Sequence, residues 1–222
     1  MGEMLRELWT PACRTEALEV DGAPARVLIP GSALVYRPSA SAIDETAPLG
    51  PVSPYGLSKL AQEMLGLAAA RQDGMTVLIS RSFTHVGPGQ ALSYAASSFA
   101  EQIARIESGR AEPVLSVGNL EARRDLTDVR DTVRAYQLLM TRGTPATPYN
   151  VCSGRPVSIL DVASALCDAR GGISPAVTGQ YRSGDVRHIV ADPAKAAQRL
   201  GFRAAVDPGT GLREFADAPL RG

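Results

Sequence analysis

The chain has 222 residues, 45% of them hydrophobic and 21% charged, and its 23 basic side chains balance 23 acidic ones. That apolar content excludes a disordered tail, and neutrality without a basic run excludes a protein built to coat phosphate backbones. Three cysteines with no C-x-x-C pair and only two histidines argue against a cysteine–histidine metal cluster, and no run approaches the ~20 apolar residues of a membrane span. The amino terminus lacks the charged-then-apolar order of a signal peptide, so a reduced, cytoplasmic protein with no nucleic-acid or membrane partner is expected.

Short apolar runs alternate with amphipathic stretches, the pattern of a mostly parallel sheet covered by helices. In chain order the expectation is a strand at 26–30 (RVLIP), a Pro- and Ser-rich loop at 37–53, and a helix at 54–71. A strand at 75–80 (MTVLIS), a loop at 84–91 with a GPGQ turn, and a helix at 94–108 come next. The rest reads as a strand at 113–117 (PVLSV), helix 129–142, strand 148–152 (PYNVC), helix 159–170 and helix 193–200. Punctuation supports the ends: Ser53 precedes Pro54 as a cap before proline at the first helical position, and Gly109 and Gly143 follow their helices. Ser158 with Asp161 three residues on forms a variant capping box.

Two features point to chemistry. Tyr55-Gly-Leu-Ser-Lys59 opens a predicted helix, and a spacing of four places phenol and ammonium on one face, about one turn apart. A fixed cation there would lower the phenol from its ordinary ~10 and make a proton donor usable near neutral pH; the plain reading is a tyrosine packed under a lysine stem. Lys59 is one of only two lysines in the chain. The second feature is Ser32, directly after the strand RVLIP, where ligands of parallel sheets bind; a Gly-Ser pair also makes an ordinary turn.

A serine at a strand end, a loop, and Tyr-x-x-x-Lys on the next helix together resemble the short-chain dehydrogenase/reductase superfamily. The segments SALVY, ETAPLGPVSPYGLSKLAQEML and RSFTHVGPGQ are similar to its extended branch, the nucleotide-sugar epimerases, dehydratases and reductases. FAEQIARIESG, VGNLEARRDLTDVRDTVRAYQLLM and YNVCSGRPVSI narrow this to the reductases of GDP-linked 4-keto-6-deoxymannose. The resemblance implies an incomplete Rossmann-like doubly wound sheet at 1–90 and a smaller α/β substrate domain at 91–222, with 129–153 returning to the sheet.

It also implies roles. Tyr55 would protonate the keto oxygen, Ser32 would hydrogen-bond it, and Lys59 would hold the nicotinamide ribose of NADP or NAD, with Ser82 and Phe83 beside the cofactor. Thr84, Asn119, Arg124, Arg182 and Asp185 would meet the nucleotide sugar, GDP-linked by the same resemblance. The family pairs copies into homodimers through the helix carrying Tyr55; Leu57, Leu60, Met64 and Leu65 could serve that face, but core is the simpler expectation for them.

The chain also departs from the pattern. Thr84 replaces an asparagine, Arg37 replaces a glycine after V-Y, and no G-x-x-G-x-x-G occurs, so the glycine-rich half of the dinucleotide site is expected to be missing. Ala33 and Leu34 stand where related dehydratases carry acidic residues, which disfavours dehydration. The expected activity is NAD(P)H-dependent 4-keto reduction. The alternatives are 4-epimerisation with retained NAD, or a noncatalytic remnant that binds a nucleotide sugar.

Overall fold

The computed structural model of the chain describes residues 19–20, 23–169, 188–207, 210–212 and 214. Its strands are β1 (Glu19–Val20), β2 (Ala23–Pro24), β3 (Arg26–Ser32), β4 (Thr76–Ser82), β5 (Thr84–Val86), β6 (Arg123–Asp128), β7 (Pro148–Val151), β8 (Pro156–Ser158) and β9 (His188–Ile189). Its helices are α1 (Pro54–Gln72), α2 (Ala95–Glu107), α3 (Val129–Arg142), α4 (Ile159–Ala169) and α5 (Ala194–Leu200).

The central sheet is parallel, in the order β3-β4-β7. Ser32 pairs with Ser82 and Ser82 with Val151, so the three strands end level and form one carboxyl edge. Alternate residues supply two apolar faces, as a sheet covered on both sides requires. Ile29, Val77 and Ile79 cluster with Ala69 of α1, while Tyr149 and Val151 cluster with Ala135 and Leu139 of α3 and Ala196 and Leu200 of α5. Helix α1 lies so close to the sheet that a Cβ at Gly66 would fall 2.0 Å from the Ile29 side chain.

A second sheet carries the other half of the molecule. β5 and β9 run parallel to β6, and β8 runs antiparallel to it. Its core gathers Val86 and Leu126 with Phe99 and Ile103 of α2 and Val162 and Leu166 of α4. The buried Asp125 carboxylate stitches β6 to the β7–β8 turn and to the chain after β9: it accepts from the backbone N–H of Ser153, Gly154 and Ala191 and from the Ser153 hydroxyl.

The caps follow the sequence. Ser53 accepts from the Gly56 N–H at 3.1 Å with Pro54 at the first helical position, and Ser158 and Asp161 exchange reciprocal bonds of 3.0 and 2.9 Å. Three expectations fail. Residues 113–117 form no strand: Leu115 and Val117 are apolar because they plug the core beneath α2 and α4, while Ser116 bonds through its N–H to the Gln102 side chain. The strand is instead Arg123–Asp128, whose charged residues hid it, and the expected loop at 84–91 begins with β5. Leu57, Met64 and Leu65 of α1 are exposed rather than core, because the buried face of this helix is made by Gly56, Glu63, Gly66 and Ala69.

Candidate active site

The level carboxyl edge of the central sheet opens into a cleft of about 1180 Å³. Eight residues singled out in the sequence line it: Ser32, Tyr55, Lys59, Ser82, Phe83, Thr84, Asn119 and Arg124. Arg182 and Asp185 lie outside the described residues.

Ser32 ends β3 and caps a short 3₁₀ turn over Ala33–Val35, accepting from the Leu34 N–H at 3.2 Å. Its hydroxyl lines the same cleft as the Tyr55 phenol and favours the ionised form of that phenol. Tyr55 is half exposed to the cleft, which leaves the phenol reachable by a ligand. Burial of the remainder pushes the phenol above its ordinary value, Tyr94 and Tyr136 add to that, and the Ser32 side chain opposes it.

The expected lowering by Lys59 is not seen. The Lys59 ammonium donates to the Pro30 carbonyl at 3.0 Å and to Gln62 Oε1 at 3.2 Å, bonds open to water, and lies 5.9 Å from the Tyr55 ring centroid. Solvent screens a charge so placed. An ammonium has three donors, so two are engaged and one is left for a ribose hydroxyl.

Across the cleft, Ser82 bonds to the Tyr136 hydroxyl at 2.8 Å, and the Phe83 N–H donates to the Val151 carbonyl at 3.0 Å. Thr84 opens β5 and Arg124 lies on β6, its Nη1 donating to the Arg123 carbonyl at 3.0 Å. Asn119 accepts from the Glu121 N–H at 3.1 Å, which fixes the loop leading into β6. Sequence reasoning missed Tyr136 and Tyr94 as lining residues. Helical spacing from the RRDLTD segment could have pointed to Tyr136; nothing local distinguishes Tyr94.

No aspartate or glutamate lines the cleft among the described residues, and its charged side chains are Lys59 and Arg124. Among the same residues no group of histidine, cysteine, aspartate and glutamate could hold a metal ion, and no helix is long and apolar enough to cross a membrane. The residues present fit the nicotinamide-ribose end of a dinucleotide: a small hydroxyl, a phenol, a lysine and the Ser82–Phe83 backbone meet at one end of the cleft.

A parallel sheet covered on both faces, with serine, tyrosine and lysine meeting at its carboxyl edge, defines a Rossmann-type protein of the extended short-chain dehydrogenase/reductase kind. Within that class the chain belongs to the family described as GDP-mannose 4,6 dehydratase, whose profile matches residues 11–215. It is 38% identical over 156 residues to GDP-6-deoxy-D-mannose reductase of Pseudomonas aeruginosa, covering 69% of this chain and 51% of that protein. It is 31% identical over 177 residues to dTDP-L-rhamnose 4-epimerase of Burkholderia thailandensis, covering 79% and 48%. The chain thus spans about half the length of these curated relatives. Among solved structures, RMD of Pseudomonas aeruginosa complexed with NADPH superposes with a TM-score of 0.83 at 31% identity, over 90% of this chain and 68% of that one.

Proposed function

We propose that the cleft supports reduction of a GDP-linked 4-keto-6-deoxymannose to its 4-hydroxy form, with NADPH or NADH as reductant. The observation that carries this is the pairing of a Ser32–Tyr55–Lys59 cluster with a lining that holds no carboxylate among the described residues. Eliminating water from a sugar needs an acid and a base placed beside the departing hydroxyl and the acidic C–H. Ala33 and Leu34, which line the cleft beside Ser32, supply neither. A ketone reduction needs only a hydride, one proton and support for developing oxyanion charge.

A nicotinamide bound at this end would supply the hydride. Tyr55, held protonated well past neutrality by its burial, gives its proton to the keto oxygen. The Ser32 hydroxyl, which lines the same cleft, donates to the same oxygen as charge develops on it. Lys59 holds the ribose with its remaining donor. Arg124, half-buried at the cleft wall, presents a planar fork suited to a diphosphate, and Asn119 and Thr84 offer neutral polar contacts to nucleoside and sugar. The 38% identity to a GDP-6-deoxy-D-mannose reductase favours reduction over the epimerase relative at 31%.

The purified chain with GDP-4-keto-6-deoxymannose and NADPH should lose absorbance at the nicotinamide band and form GDP-6-deoxymannose. Interconversion of a 4-hydroxy sugar without net loss of NADPH would make it an epimerase. Binding of GDP-sugar with no turnover would make it a binding protein. The exposed Leu57 and Met64 on α1 support pairing of two copies along this helix, which sedimentation of the wild type against a Leu57→Glu/Met64→Glu variant tests.

A further inference from the structure

One buried polar cluster joins the helix that carries Tyr55, the strand that carries Ser82 and the turn that follows Ser32, without lining the cleft. Arg81 of β4 is 4% exposed and Glu63 of α1 is 1% exposed. Their pairing is two-pronged: Arg81 Nε donates to Glu63 Oε2 at 3.0 Å and Nη2 to Oε1 at 2.5 Å. The remaining guanidinium nitrogen, Nη1, donates to the Tyr36 hydroxyl at 3.0 Å and to the Glu45 carbonyl at 3.2 Å. Tyr36 in turn donates to Asn150 Oδ1 at 2.7 Å, and Asn150 is held by the Ile43 carbonyl and the Glu45 carboxylate. The Arg81 guanidinium also lies 4.8 Å from the Tyr36 ring centroid.

Burying an ion pair contributes little net stability, because desolvation consumes most of the Coulomb gain. What such a pair does supply is fixed geometry, since a planar fork on a carboxylate admits one arrangement. The placement here gives that geometry a use. Glu63 follows Lys59 by one helical turn and Tyr55 by two. Tyr36 ends the turn that Ser32 begins, and Arg81 directly precedes Ser82. One guanidinium therefore ties together the helix, the strand end and the turn that carry the site's three parts.

We propose that Arg81 is a positioning residue: gripping Glu63 and Tyr36 at once, it sets the distance between the Tyr55 phenol and the Ser32 hydroxyl. The inference rests on the reading of Tyr55 and Ser32 given above, but its consequence is visible without turnover. The Ser32 side chain holds the Tyr55 phenol down against burial, so loosening the grip releases the phenol upward. Arg81→Lys keeps the charge while losing the fork and the link to Tyr36.

The test uses protein labelled with 3-fluorotyrosine, whose phenol ionises below that of tyrosine. The Tyr55 fluorine resonance, assigned by its loss in Tyr55→Phe, is followed through a pH titration. In Arg81→Lys it should titrate about half a unit to one unit higher than in wild type, the equivalent of one lost hydrogen bond. Leu166→Ala, which opens a cavity in the remote α4 core, should lower the melting temperature and leave Tyr55 where it was. An unmoved Tyr55 in folded Arg81→Lys, or an equal shift in Leu166→Ala, overturns the proposal. If Arg81→Lys does not fold, Tyr36→Phe removes one anchor of the grip and should shift Tyr55 the same way by less; no shift there overturns it equally. NADPH oxidation is measured alongside. A protein inert toward the keto sugar whose Tyr55 still shifts keeps this inference and loses the reductase reading, and active protein without the shift does the reverse.

Discussion

The backbone of Gly56 lies against the carbonyl of Leu34 so closely that a Cβ at Gly56 would fall 2.3 Å from the oxygen. This is the contact between the start of α1 and the turn after Ser32, and it lets the residue before Gly56 reach that serine. A backbone oxygen cannot swing aside, and the Pro51 side chain at 3.0 Å closes the other direction. Gly56→Ala should therefore lift the first turn of α1 away from the Ser32 turn. The expected cost is about 1–3 kcal/mol by urea unfolding, with keto-sugar reduction falling further than the stability loss explains. A variant as stable and as active as wild type would show that α1 can retreat without disturbing the site.

Tyr55 and Arg124 line one cleft, and the proposed reduction gives them separable tasks that kinetics should part. Tyr55→Phe removes the proton donor from a half-exposed ring, so folding and GDP affinity should hold while the rate of NADPH oxidation falls roughly 10²- to 10⁴-fold. Arg124→Ala should weaken GDP binding by about 10- to 100-fold in calorimetry, the worth of a charge-assisted hydrogen bond, and raise KM more than it lowers kcat. Equal losses in binding for both variants would place the nucleotide elsewhere.

The outline of this molecule is written in local signals. Each helix announced by a cap or an apolar period is present, because caps act within one turn and need no partner from afar. The same locality explains the errors. Residues 113–117 carry a strand-like run whose apolar content serves core filling, whereas β6 opens on two arginines and an aspartate, Arg123, Arg124 and Asp125. Those charges have distant uses: Arg124 faces the cleft and Asp125 binds segments 28 and 66 residues away. Ser32, Tyr55 and Lys59 were legible because strand end and helix start are themselves local. The Glu63–Arg81–Tyr36 cluster was not, since 18 and 45 residues separate its partners and each charge alone reads as surface. The exposed Leu57 and Met64 misled for a related reason: on a helix that buries glycines, apolar spacing does not tell the inner face from the outer.

The capping box at the start of α4 yields a prediction about pH. Ser158 donates its N–H to the Asp161 carboxylate at 2.9 Å and accepts from the Asp161 N–H at 3.0 Å. The Ser158 contacts hold the Asp161 carboxyl below its ordinary value of 3.8, and Asp161 itself is exposed. A carboxyl depressed in the folded state binds its proton more readily once unfolded. Its contribution is therefore complete above the ordinary carboxylate value and is lost as pH falls through the folded one. Ser158→Ala removes the hydroxyl acceptor while leaving the backbone donor. It should cost about 1 kcal/mol at neutral pH, read as a lower urea midpoint with an unchanged slope. Because the variant no longer holds Asp161 down as strongly, the gap between variant and wild type should narrow as pH drops below 3.8. A gap that stays constant from pH 7 to pH 3 would assign the whole effect to the lost Asp161 N–H bond and none to the carboxylate.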